Sequence, residues 1–171
     1  QEPELLVSNY VVQSVSCTGL SDGQINASAT GGNGGYTYQV GSLVNSSGIF
    51  NNLSTGFFSL MVSDSLGCAA QNQTIFINEP NMLSLALSAT MASGPGALDG
   101  TAVATVTGGT APYQYNWSGA AAQTDSMAVY LDGGWYNVVV TDANGCSISD
   151  SVLVDVLGVQ QFNSSSVLLY P

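Results

Sequence analysis

The sequence predicts an all-β protein built as two tandem immunoglobulin-like β-sandwiches, and three observations carry that prediction. The chain repeats itself at a fixed offset of 77 residues, which becomes 78 after Val40. Val62-Ser-Asp-Ser-Leu-Gly-Cys68 returns as Val140-Thr-Asp-Ala-Asn-Gly-Cys146, and Gly31-Gly32 with Tyr36-Thr-Tyr38 returns as Gly108-Gly109 with Tyr113-Gln-Tyr115. Apolar residues alternate, or form short β-branched and aromatic runs bounded by Gly, Asn and Asp. No segment has a helical period. Six or seven short strands per repeat, spaced every 8–12 residues, suit a sandwich.

The elements follow in order. In the first repeat, residues 5–16 form a Val-rich and Tyr-containing run ending before Cys17-Thr-Gly19. Residues 24–30 alternate Ile25, Ala27 and Ala29 with polar neighbours between Asp22-Gly23 and Gly31-Gly32. Residues 36–40 carry the Tyr-x-Tyr block, and 48–51 hold Ile49 and Phe50. Residues 57–63 alternate around Leu60 and Val62, and 73–78 surround Ile75-Phe-Ile77. The second repeat gives 83–90, 101–107, 113–117, 126–130, 135–141 and 147–156. Between strands stand turn signals such as Gly31-Gly-Asn-Gly-Gly35 and Asp142-Ala-Asn-Gly145.

The repeat sets the expected domains: 1–79, 80–158, and a tail at 159–171. Units of this size bury modest cores and lean on a staple or a neighbour. Gln1-Glu2-Pro3 is in register with Asn78-Glu79-Pro80. The chain is therefore expected to start where a preceding unit would end, in a longer array or a product trimmed at a junction. Arrays of similar units usually extend, display or assemble rather than catalyse.

Charge narrows the function. The chain has no Lys, Arg or His and a net charge of −11, where average usage would supply about 20 basic residues. Nucleic acid and anionic membranes are excluded as partners, since both require cationic side chains. No apolar run approaches the length of a membrane span. A Ser or Cys nucleophile has no His or Lys to serve as its base. The aspartates recur at turn positions instead of forming one paired-carboxylate cluster. The chain is thus expected not to be an enzyme and to need no organic cofactor.

Calcium is the one metal the pattern admits, through Asp22, Asp64, Asp99 and Asp142 in repeated loops. The competing reading has these carboxylates accepting turn amides, as Asp in Asp-Gly and Asp-x-x-Gly commonly does. Tyr36, Tyr38, Phe57, Phe58, Tyr113, Tyr115, Trp117, Trp135 and Tyr136 could line a carbohydrate platform. Strand alternation should instead send about half of them into the cores. Of three cysteines, Cys17 precedes the second strand and Cys68 follows the penultimate one, so a Cys17–Cys68 bridge could staple the first repeat. Cys146 is then left as a free thiol, either idle or bridging to another molecule.

Several spaced blocks together resemble the SprB-type repeat of surface adhesins in gliding bacteria of the Bacteroidetes group. They are Cys17-Thr-Gly-Leu-Ser-Asp-Gly23, the Gly-Gly…Tyr-x-Tyr block, Leu131-Asp-Gly-Gly-Trp-Tyr136 with Val138–Cys146, and Ile75-Phe-Ile-Asn-Glu-Pro80. The resemblance spans nearly the whole chain and implies export, cell-surface display, and a role in adhesion or motility. The second copy departs from it by lacking the first cysteine. Ser165-Ser-Val-Leu-Leu-Tyr-Pro171 resembles the entry to a type IX secretion sorting domain. Asp64-Ser-Leu66, Asp125-Ser-Met127 and Asp150-Ser-Val152 match the O-glycosylation pattern of such bacteria, which implies Ser65, Ser126 and Ser151 as acceptors.

In the tail, Ser166, Val167, Leu168, Leu169 and Tyr170 read as one more strand. It is expected to add to a neighbouring subunit's sheet, giving head-to-tail self-association, or else to fold back on its own unit. The expected protein is a secreted, non-enzymatic adhesin segment or filament subunit, with surface glycans as an additional partner class. The alternative is a carbohydrate-binding accessory module of a secreted enzyme.

Overall fold

Every element that the computed structural model holds is a β-strand, across its described residues 4–119 and 123–158. The expectation of an all-β, immunoglobulin-like architecture holds. The chain divides into two units. The first comprises residues 1–83 plus the loop segments 108–110 and 143–146, and the second comprises the remainder.

In the first unit the strands are β1 (Val7–Gln13), β2 (Gly23–Thr30), β3 (Thr37–Val40), β4 (Leu43–Asn45), β5 (Ile49–Leu53), β6 (Gly56–Ser63) and β7 (Gln73–Ile77). They pair antiparallel into two sheets, β1-β2-β5 and β4-β3-β6-β7. Alternation explains the layering: Leu60 and Val62 of β6 are fully buried, while Phe57, Ser59 and Met61 between them face out. Ile25, Val40, Ile75 and Ile77 fill the same core, each side chain contributing about 1.5–3 kcal/mol by leaving water.

The second unit repeats the plan, without a counterpart of β4 among the described residues, as β8 (Ser84–Thr90), β9 (Gly100–Thr107), β10 (Gln114–Ser118), β11 (Met127–Leu131), β12 (Gly134–Thr141) and β13 (Ser147–Val154). Its sheets are β11-β9-β8 and β10-β12-β13. Trp117, Leu131, Val138, Val140 and Val154 lie in its core. Each unit closes in the same way. Val15 N–H donates to Asn78 O at 3.1 Å, and Ala92 N–H donates to Asp155 O at 2.8 Å.

The repeated glycines have tertiary reasons. A Cβ on Gly31 would sit 2.1 Å from Leu5 O, and one on Gly108 would sit 1.9 Å from Met82 O. Both also adopt left-handed φ, +77° and +72°. Gly23 and Gly100 are buried where β2 and β9 cross irregular pairings with β5 and β11. A Cβ there would reach Leu53 O at 2.8 Å and Leu131 O at 2.9 Å respectively. The Asp-Gly pairs thus mark a close strand approach as well as a turn.

Two differences from the sequence reading concern elements. The first strand is shorter than 5–16, because Ser16 leaves the ladder to bond Asp22. The strand β4 was not expected; it folds back on β3 through a two-residue turn at Gly41-Ser42, with Gly41 at φ +56°. Leu43, Val44 and Asn45 are too short a run for alternation to register. The strand and sorting-domain expectations for residues 165–171 lie outside the described residues.

Candidate functional site: buried aspartate latch, cysteine loop and outer aromatic faces

Asp64 is the most committed polar side chain of the first unit. It follows β6, is only 5% exposed, and accepts four N–H groups. Oδ2 takes Asn33 N at 3.0 Å and Asn33 Nδ2 at 2.9 Å. Oδ1 takes Leu66 N at 3.0 Å and Cys68 N at 2.9 Å. One carboxylate thereby latches the Gly-rich 31–35 loop to the 64–68 turn, satisfying amides that would otherwise be stranded. These bonds, led by that from the Asn33 side chain, hold the carboxyl at about 2, below its ordinary 3.8, against the opposing effect of burial. Its repeat equivalent, Asp142, is likewise buried.

The latch gives a pH prediction. A carboxyl lowered on folding stabilises the protein above the unfolded value and loses that contribution as protons return. The stability difference between the native chain and Asp64→Asn should be constant above about pH 5 and shrink between about pH 4 and 2. Urea unfolding across this range measures it, and a gap that stays constant down to pH 2 contradicts the latch.

Asp22 and Asp99 occupy equivalent turns and act alike. Asp22 accepts both the amide and the hydroxyl of Ser16, and Asp99 accepts the amide of Ser93 at 2.8 Å. The serine side-chain bond is the main reason each carboxyl is lowered. Of the four aspartates proposed from sequence as calcium ligands, Asp22, Asp64 and Asp99 thus sit in separate turns with their carboxylates on amide or hydroxyl donors, and Asp142 is buried. Among the described residues, no three His, Cys, Asp or Glu side chains gather in a metal-binding group.

The cysteine pairing differs from the expected one. Cys17 is bonded to Cys146 (Cα–Cα 5.8 Å), and Cys68 is the exposed free thiol. The expected Cys17–Cys68 bridge fails because strand direction sends the two residues to opposite ends of the sandwich. Cys17 follows the Gln13 end of β1, which pairs with Gln24. Cys68 sits with Asn33 beyond the opposite, Thr30 end. A seven-residue strand spans roughly 20 Å, whereas a disulfide needs Cα atoms within about 7 Å. Cys146 arrives on the loop 143–146 that belongs to the first unit. There Asn144 Nδ2 donates to Ser16 O at 2.9 Å and to Thr110 Oγ1 at 3.1 Å. The Glu79-Pro80 motif lies close by in sequence contacts of the same unit. Glu79 Oε2 accepts Gly19 N at 3.0 Å, and Pro80 O accepts Thr18 Oγ1 at 2.9 Å.

The nine aromatics considered as a platform separate cleanly. Tyr38, Trp117 and Tyr136 are buried, and Tyr36, Phe58, Tyr113 and Tyr115 pack partly buried against the cores. Only Phe57 (77% exposed) and Trp135 (70% exposed) face solvent. They stand at equivalent positions, each directly after the glycine that opens β6 or β12. Phe57 stacks on its cross-strand neighbour Phe76 with centroids 4.7 Å apart, and Trp135 lies opposite Leu153. Sequence reasoning did not single out Phe76 and Leu153. Counting by twos from buried Ile75 and Val154 would have put both outside. Ser65, Ser126 and Ser151, the O-glycosylation candidates, are all exposed.

The family model of the SprB repeat matches the chain at two segments, residues 9–43 and 96–122. No curated protein matches it. Among solved structures it resembles the three N-terminal domains of the bacteriophage RB49 Highly Immunogenic Outer Capsid protein (Hoc). That likeness has 16% identity and a TM-score of 0.51, over 90% of this chain and 58% of that one. A C-terminal fragment of intimin, solved with the intimin-binding domain of its translocated receptor, is 8% identical with a TM-score of 0.48, covering 91% of this chain and 64% of the fragment. The N-terminal eight immunoglobulin domains of Down Syndrome Cell Adhesion Molecule are 12% identical with a TM-score of 0.43, covering 90% and 25%. This chain thus spans less than two thirds of each. At such identity the Hoc likeness speaks for fold alone. No helix among the described residues is long and apolar enough to cross a membrane.

Proposed function

We propose that this chain is a non-enzymatic, extracellular adhesive and structural segment, either a subunit of a cell-surface filament or a stretch of a repeat adhesin. The observation that carries the proposal is the match of the SprB-repeat model at two segments, one in each repeat of the chain. Composition supports it. Without Lys, Arg or His the chain lacks the usual bases for nucleophilic catalysis, and Asp22, Asp64 and Asp99 are occupied by turn donors.

Head-to-tail self-association belongs to the same reading, with residues 166–170 of one molecule donated to another. Support comes from β1, which pairs only with β2 among the described residues. Its Val7, Tyr10 and Val11 are exposed, and it carries neither charge nor proline to block an incoming strand. A cleft of about 330 Å³ runs along its start, lined by Leu5, Leu6, Val7, Ala69 and Gln73 among others. Gln73, one of its lining residues, has a buried Oε1 with no hydrogen-bond partner among the described residues. Two measurements test the proposal. Beads coated with the full chain should attach to surfaces under flow where uncoated beads do not. Electron microscopy should show polymers that vanish when residues 163–171 are deleted; polymers that persist after deletion overturn the strand donation.

A further inference from the structure

The outer faces of the sheets β4-β3-β6-β7 and β10-β12-β13 each set an exposed aromatic beside neutral amide and hydroxyl side chains. The molecule's 11 acidic residues fall outside its strands, with the exception of Asp150 in β13. Asp150 is paired with the buried Val138 and so shares its strand phase, although at this sheet edge it is exposed. The outward positions in the first unit are Thr37, Gln39, Ser59, Ser63 and Thr74, with Val44 and Met61 between them. In the second unit, Gln114, Asn116, Ser118, Asn137, Ser149 and Ser151 face out. One end of each face carries the exposed aromatic: Phe57 on Phe76, or Trp135 beside Leu153. One step along the same strands, amide and hydroxyl groups follow. Ser59 is bonded to Asn72 Oδ1 at 2.9 Å, and Asn137 Nδ2 to Ser151 Oγ at 3.2 Å.

We propose that each outer face is a binding platform for neutral glycans, with Phe57 and Trp135 stacking on pyranose rings and the adjoining amides and hydroxyls bonding the sugar hydroxyls. The proposal rests on the adhesive reading and names the class of partner. A pyranose presents an apolar C–H face that a flat ring covers well, and its rim of hydroxyls both donates and accepts, as amides and hydroxyls do. Charge selects among glycans: a chain of −11 repels sulfated or uronic polymers, while neutral ones are indifferent to its field. Occurrence at the same position in both units argues against chance exposure of a core residue. Large aromatics held in solvent at matched sites are what binding surfaces retain.

The test is a titration of the full chain with neutral hexasaccharides, namely cellohexaose, xylohexaose and laminarihexaose, followed by tryptophan emission. Trp117 is buried and Trp135 exposed, so ligand on the second face changes the Trp135 signal and protects it from acrylamide. At least one hexasaccharide should bind saturably at about millimolar concentration or better. A sulfated hexasaccharide should not bind. The Phe57→Ala, Trp135→Ala double variant should weaken binding at least about tenfold with its unfolding midpoint unchanged, since both side chains lie outside the cores. Tyr130→Ala removes an equally exposed aromatic on the other sheet and should bind like the parent. Absence of saturable binding up to about 10 mM, or undiminished binding by the double variant, overturns the proposal. Loss of self-association by the double variant in sedimentation, without any glycan binding, overturns it in favour of contacts between copies. Bead attachment separates the two readings: beads that hold to surfaces although no hexasaccharide binds keep adhesion and sink the glycan platform.

Discussion

Cys146→Ser lowers the stability of the first unit by about 3–5 kcal/mol, Cys17→Ser does the same, and Cys68→Ser leaves it unchanged. The reason lies in the unfolded chain. A bridge between residues 129 apart in sequence removes a large amount of loop freedom from the denatured ensemble, and chain-entropy arguments place loops of this length at the upper end of the disulfide range. The bridge also fixes the 143–146 loop, whose remaining hold includes the Asn144 bonds to Ser16 and Thr110. Thermal unfolding of the three serine variants, with and without reductant, measures the effect. Non-reducing peptide mapping should recover a peptide joining Cys17 to Cys146. Recovery of a Cys17–Cys68 peptide, or a large effect of Cys68→Ser, refutes the pairing.

Trp117→Ala should be the most damaging single change in the second unit, costing about 3–5 kcal/mol. The side chain is 2% exposed and packs with Leu131, Val138 and Val140, so truncation opens a large cavity in a small core. Its Nε1–H also donates to Asp125 O at 3.0 Å, and that carbonyl loses its partner. The second unit contains no cysteine and so has no covalent staple of its own. For a domain of this size the loss corresponds to a midpoint roughly 15–30 °C lower. Calorimetry checks it: the second unit's transition should fall well below that of the parent. A shift of only a few degrees would show that the core closes around the missing indole.

The two predictions draw on different kinds of information. The place of Trp117 in a core was open to sequence reading, since it alternates with Tyr115 on a short strand within a repeat. The same phase counting separates Phe57 and Trp135 from their buried neighbours, although composition alone cannot tell a platform from a core. The Asp64-x-x-Gly67 spacing already suggested a turn carboxylate. That this carboxylate would also reach across 31 residues to Asn33 depended on where β2 and β6 end.

What the sequence by itself determined about this protein is its period, most of its strands and the two-residue alternation that divides their inner from their outer positions. Those follow from local rules: a two-residue alternation, turn residues at fixed offsets, and a repeat that applies both rules twice. Tertiary structure alone decided which distant residues meet. Cys17 and Cys68 look well placed along the chain, but a strand carries one of them roughly 20 Å from the other, and a loop from the second repeat supplies Cys146 instead. Local rules fix orientation; pairing across 129 residues depends on the path of every strand between.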